Sequence, residues 1–286
     1  MRRLLLRHLI AIVITALVGL LATATLVRLA PGFEADVGQL DVRLSHASVE
    51  ALRAERARNA DVLAFYVHYL AAAARGDLGD SPMLRRPVRE LVAERLPETA
   101  GIVGLGLVVG WLIAAALAVA AALLRPAAVS LAAGGVSSFF LCLPAAALAL
   151  LLVIFRAPAF LAVALVVFPR VYRYAHNLLA RSYAQPHILT ARAKGLGPAR
   201  VLFCHALSSC AAPLLALAGV SVNLALGAAV PIEALCGLPG IGQLAWQAAL
   251  GRDLPLLATL TVIVTLVTLV ANTCATLLAG PRANSL

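Results

Sequence analysis

The sequence predicts an all-α polytopic membrane protein with about six transmembrane helices, and three observations carry that prediction. Of the 286 residues, 62% are hydrophobic and 13% charged, with a mean hydropathy of +0.96. A chain of that length has too little polar surface to cover itself in water. Apolar runs approaching the roughly 20 residues that cross a hydrocarbon layer, or exceeding them, lie near 9–30, 99–124, 127–155, 159–179, 208–232 and 255–279. Residues 99–232 hold no Asp or Glu, whereas Arg125, Arg170, Arg173, Arg181, Arg192, Lys194 and Arg200 lie there. The positive-inside rule puts the connections that carry these cations in the cytoplasm, together with both chain ends.

Taken in order, Arg2, Arg3 and Arg7 precede the first run. A cleaved signal peptide begins in the same way, but the length of the run and the lack of a small-residue cleavage site before Pro31-Gly32 favour an uncleaved first helix. The segment 31–98 holds nine basic and eleven acidic residues and is read as an external loop, because long loops are translocated regardless of charge. Within it, Val62, Phe65, Tyr66, Tyr69 and Leu70 recur at helical spacing, which predicts a helix over about 48–75 resting on the membrane surface or on neighbouring spans. Gly76 stops that helix. A second short helix is expected over 87–96, ending before Pro97. Between the third and fourth runs, Phe155 to Pro158 leave almost no loop. Pro169 is expected to divide the fourth run, and Arg170 and Arg173 either snorkel to the inner interface, pair, or line a wet cavity.

The segment 187–207, HILTARAKGLGPARVLFCHAL, is basic, free of acids and broken by glycine. An apolar-periodic turn ends in Lys194, a cation near the last carbonyls, followed by Gly195, which is free to take positive φ. Pro198 can open a second helix where its missing N–H costs nothing. The expected product is two short helices joined by a bend at Gly195, Leu196 and Gly197. Domain blocks follow: 1–30, the cytoplasmic amino terminus and first helix; 31–98, the external loop; and 99–286, a five-helix core that includes 187–207.

Several function classes are excluded or weakened. The formal charge of +10 reports topology and contact with anionic lipid, since no basic patch interleaved with aromatics points to nucleic acid. No GxxxxGK[ST] phosphate loop is present. Cys142, Cys204, Cys210, Cys236 and Cys274 show no ligand spacing, and the six scattered histidines build no metal site. An intramembrane enzyme would need an acid or histidine spaced to activate Ser137, Ser138 or Asn223, and none is. Those three residues and Asn272 are among the uncharged polar groups in the spans, candidates either for lining a translocation pathway or for bonding between helices. Glu233 is the sole carboxylate between Glu98 and Asp253, read either as an external gate or partner contact or as a structural acid at the interface.

The segment Thr190, Ala191, Arg192, Ala193, Lys194, Gly195, Leu196, with His205, Ala206, Leu207 and Pro213, resembles the EAA loop of permease subunits of ATP-binding-cassette importers, in the dipeptide, oligopeptide and nickel branch. Four further matches occur in family order: Arg28 to Gly32; Arg75 to Gly79 with Ser81; Arg95, Leu96, Pro97 with Thr99; and Leu238 to Gly242 with Arg252, Asp253 and Pro255. The resemblance implies a bacterial inner-membrane translocation subunit. Its partners would be a second permease, usually a different chain, two cytoplasmic ATPases that bind ATP and magnesium, and an external solute-binding protein. This chain itself would carry no cofactor. It implies ATPase coupling through Ala191, Arg192, Lys194, Gly195, Leu196 and Arg200, and an outer mouth near Glu233, Pro239, Gly240 and Gly242. The family's glutamate position falls on Leu189, so docking here lacks that carboxylate. Peptide is the branch's usual cargo, nickel or another small solute an alternative, and a noncatalytic scaffold descended from a permease a third reading.

Overall fold

The computed structural model describes residues 75–124 and 127–279, with residues 14, 18, 19, 21, 25, 69 and 71–73 before them. The first run and the helix expected over 48–75 fall largely outside the described residues, as do Arg125 and Arg282. Two compact units are present: Met1–Arg95 with Leu244–Leu266, and Leu96–Gln243 with Val267–Leu286.

In chain order the described elements begin with a short antiparallel hairpin, β1 (Asp80–Ser81) and β2 (Arg86–Pro87), in which Ser81 pairs with Arg86. Helices α1 (Val88–Leu124), α2 (Ala127–Cys142), α3 (Ala145–Ile154) and α4 (Phe160–Tyr183) follow. Next come the short helices α5 (Pro186–Ala193) and α6 (Pro198–Arg200), a π-helical stretch Val201–Ala206, and α7 (Leu207–Cys236). Helices α8 (Ile241–Gly251) and α9 (Leu254–Ala279) close the described chain. Among the described residues, Val88–Leu123, Pro198–Cys236 and Leu254–Ala279 are long and apolar enough to cross a membrane.

Three sequence expectations change. The third run is not one straight span: α2 and α3 meet at 98°. Pro144 has no N–H to give and disfavours a helical Leu143 before it, so the chain bends there whatever its hydropathy. In contrast, Pro97 ends nothing, because α1 runs through it for 37 residues without a break. Pro169 likewise fails to divide α4. Each proline forfeits one helical hydrogen bond, and at Pro169 close packing outweighs that loss. Val167, Phe168, Val171 and Tyr172 around Pro169 are almost completely buried.

In the second unit α4 is the central helix, packed on by α2, α3 and α7. Its buried face runs through Val163, Val167, Val171, Ala175 and Leu179, a spacing of four that makes one helical stripe. Arg170 and Arg173 stand on the exposed face. A helix walled by protein on one side tolerates such polarity, which is why α4 is long enough to span yet too polar to qualify by composition. Gly106 and Gly110 bring α1 against α4 at backbone distance: a Cβ at Gly106 would lie 2.5 Å from the Val163 Cβ and 2.9 Å from the Phe160 carbonyl. This is the small-xxx-small packing of membrane helices. On α1, Leu105, Val108 and Leu112 are more than half exposed, an apolar stripe suited to lipid.

The links between helices mark two ends of this unit. Pro97, Gly101, Pro158, Phe160 and Leu238 line one cavity of about 310 Å³. Leu123, Tyr183, Arg192, Leu196, Pro198 and Val201 line another of about 320 Å³. The turn between α3 and α4 is as short as expected. It closes with Ala157 N–H donating to the Leu152 carbonyl at 2.9 Å and Arg156 in the left-handed region at φ +53°.

Candidate functional site

The 187–207 segment is built by local chemistry. Pro186 opens α5 at its first turn, and Ile188 and Ala191, one turn apart, are buried. The helix ends in a two-bond C-terminal motif: Gly195 N–H donates to the Arg192 carbonyl at 2.9 Å and Leu196 N–H to the Ala191 carbonyl at 3.4 Å. That motif needs a left-handed residue, and Gly195 supplies it at φ +76° with nothing within 4 Å of a would-be Cβ. Pro198 then starts helix at N1, as expected. The second short helix is not separate, however, because Pro198–Cys236 is one rod of 39 residues. No glycine or proline between Arg200 and Leu207 can stop it, so the irregularity is absorbed as a π-helical stretch. Carbonyls that a wide turn holds poorly are taken by hydroxyls: Ser208 Oγ bonds the Cys204 and His205 carbonyls, and Ser209 Oγ bonds that of Ala206 at 2.8 Å. Leu189, Arg192, Lys194 and Arg200 are exposed and Leu196 is half-buried. The Arg192 guanidinium lies 4.9 Å from the Tyr183 ring centroid.

A second cluster sits where α7 ends and α8 begins. Gly237, at φ +66°, ends α7, and Glu233 is fully buried. Its Oε2 accepts Gly242 N–H at 2.6 Å and Gln243 N–H at 3.3 Å, while Thr99 Oγ1 accepts Ile241 N–H at 2.7 Å. The first three amides of α8, which no helical carbonyl can satisfy, therefore find acceptors on α7 and α1, and the carboxylate meets the positive end of the helix. Glu233 Oε1 has no hydrogen-bond partner among the described residues. A Cβ at Gly240 would fall on this carboxylate, and one at Gly242 would lie 2.7 Å from the Val230 Cα and 2.9 Å from the Ala229 carbonyl. The acid is thus not the interface-exposed one that the sequence allowed. In this conformation it offers no surface to a partner.

A third cluster lies in the first unit. Asp253 caps α9, its Oδ1 accepting Leu256 N–H at 3.1 Å, while Oδ2 accepts the Ser81 hydroxyl and Met83 N–H. Ser81 Oγ in turn accepts Leu84 N–H at 3.0 Å. Asp253 and Ser81 are both buried. Asp253→Ala removes a cap, worth about 1 kcal/mol, and leaves buried donors unpaired, at about 1–3 kcal/mol. Thermal unfolding in detergent should show a clear loss for Asp253→Ala and a smaller one for Asp253→Asn, which keeps an acceptor.

Sequence reasoning missed how its motifs combine. The Arg75 to Ser81 tract meets Asp253 through Ser81, and the Arg95 to Thr99 tract meets the Leu238 to Gly242 tract through Thr99. Segments 172 and 142 residues apart leave no local signal of pairing. The four polar span residues do not share one environment. Ser137 is buried and bonds the Gly134 carbonyl at 2.9 Å, Ser138 and Asn223 are exposed, and Asn272 packs against Gly219.

Long apolar helices and a glycine-turned basic loop mark a polytopic membrane protein. Residues 106–280 match the family described as binding-protein-dependent transport system inner membrane component, and the chain belongs to that family. Over 91% of its own length and 91% of the relative's it is 27% identical to the "Probable peptide ABC transporter permease protein" of Sinorhizobium fredii. It is 34% identical to the oligopeptide transport system permease protein AppB of Bacillus subtilis over 37% of this chain and 34% of that one. With the oligopeptide transport system permease protein OppB of Salmonella typhimurium it shares 44% identity over 27% of this chain and 25% of that one.

Proposed function

We propose that this chain is the translocation subunit of an ATP-driven importer of peptides in the bacterial inner membrane. It would pair with a second permease and receive cargo from an external binding protein. Two cytoplasmic ATPases, which bind the ATP and magnesium, would move it by closing on the 187–207 loop. The observation that carries the reading is the form of that loop. Ile188 and Ala191 fix one face of α5 to the bundle, while Leu189, Arg192, Lys194 and Arg200 remain exposed around the Gly195 turn. A merely solvated, topology-setting loop needs no such order. With no acid at Leu189, docking rests on backbone shape, the small face of Ala191 and the cations.

The rod from Pro198 to Cys236 gives the motion its path. It begins at the coupling turn and carries Glu233 in its last turn, so displacement of the loop would reach the Pro239, Gly240 and Gly242 turn along one helix. In this reading Glu233 and Thr99 hold the start of α8 as an outer gate. Ser138 and Asn223 face the pathway, whereas Ser137 and Asn272 serve helix packing. Peptide as cargo rests on the relatives' names.

ATP hydrolysis by the complex reconstituted in lipid tests the proposal. Peptide-loaded binding protein should stimulate hydrolysis severalfold when this chain is present. Hydrolysis indifferent to loaded binding protein would favour the scaffold reading.

A further inference from the structure

We propose that the cavity beneath the coupling turn is a binding site for the headgroup of an anionic phospholipid. The cavity, about 320 Å³, is walled by Leu123 at the end of α1, Tyr183 at the end of α4, and Leu196, Pro198 and Val201 around the turn, with Arg192 at its edge. One cation against apolar and aromatic walls is the chemistry of a phosphate with its glycerol backbone and first acyl carbons. The guanidinium is oriented by the Tyr183 ring, which leaves its N–H edge for a phosphate.

Charge complementarity selects the occupant. Arg192 forms no ion pair among the described residues, and 99–232 contains no carboxylate that could serve as its partner. The walls come from the ends of two long helices, where α1 and α4 give way to connecting segments. Tyrosine is favoured at the membrane–water interface, and basic pockets between helices on the cytoplasmic side take anionic headgroups. The inference rests on the cytoplasmic placement of 187–207 but not on transport of any cargo. A lipid there would brace the coupling turn against the bundle, so ATPase coupling would depend on the acidity of the inner leaflet.

Native mass spectrometry of the full chain in detergent tests the site directly. One phosphatidylglycerol should be retained in preference to phosphatidylcholine, and Arg192→Gln should weaken it by about fivefold, as expected for one basic group near a charged headgroup. Arg200→Gln, which removes a like charge from the same loop outside the cavity, should leave it unchanged. Leu196→Trp, which fills the cavity and keeps the cation, should lower retention. Glycerol 3-phosphate should not compete, because a free phosphate lacks the apolar part. Equal retention of both lipids, or equal loss with Arg192→Gln and Arg200→Gln, would overturn the site. So would lipid retention left intact by Arg192→Gln. Lipid and chain alone enter the assay, so its failure is distinct from failure of the importer reading.

Discussion

Gly242→Val should leave little folded protein. A Cβ at this position would lie within 2.9 Å of backbone atoms of Ala229 and Val230, which cannot rotate away as a side chain can. Helix α8 would have to lift off α7, taking Gly242 N–H and Gln243 N–H away from the Glu233 carboxylate. Overpacking alone costs about 1–3 kcal/mol, and a buried carboxylate stripped of its donors adds a further penalty of similar size. Gly227→Ala, on the same α7 but with nothing within 4 Å, is the matched control and should be neutral or stabilise by up to about 1 kcal/mol, since helix-interior glycine is unfavourable. Detergent-solubilised yield and thermal unfolding of the two variants measure the difference. Equal behaviour would mean that α8 does not pack at this distance.

Gly195→Val should give the opposite kind of defect, a stable protein that does not transport. The space around Gly195 is open, so no atom is displaced. The cost is the backbone alone, about 1–3 kcal/mol for a non-glycine residue held at positive φ. A chain relieves that strain by opening the turn, at the expense of the Gly195 and Leu196 hydrogen bonds that end α5 and aim the exposed loop. Insertion and unfolding temperature should be close to those of the native protein, while substrate-stimulated ATP hydrolysis falls by about tenfold or more, the ratio equivalent to 1.4 kcal/mol. Arg192→Ala and Lys194→Ala should be milder, because exposed charge contacts contribute less than about 1 kcal/mol each. Full activity in Gly195→Val would remove the turn from the mechanism.

These contrasts show which parts of the molecule were legible in its sequence. The apolar stretches of α1, α7 and α9 were readable because the length of each alone meets the membrane requirement. The turn between α5 and α6 was readable because Gly195 and Pro198 act through their own backbones. The bend at Leu143 and Pro144 was written in the sequence too, but hydropathy averaging passes over a single proline. The uninterrupted passage of α4 through Pro169 was not readable, since the buried packing around that proline decides it. Glu233 carried the least local information of all. Its role depends on amides nine and ten residues onward and on Thr99 beside them, which only the folded chain brings together.

In the proposed importer, the 187–207 loop is the cytoplasmic contact through which partner ATPases drive translocation. Lys194 is exposed immediately before the Gly195 turn, which makes it the position to probe. In a variant with the five native cysteines replaced by alanine, Lys194→Cys should cross-link to an ATPase subunit with a short thiol-directed reagent and resist an impermeant thiol reagent added to intact cells. Labelling of that cysteine from outside, with no cross-linked ATPase, would contradict the account.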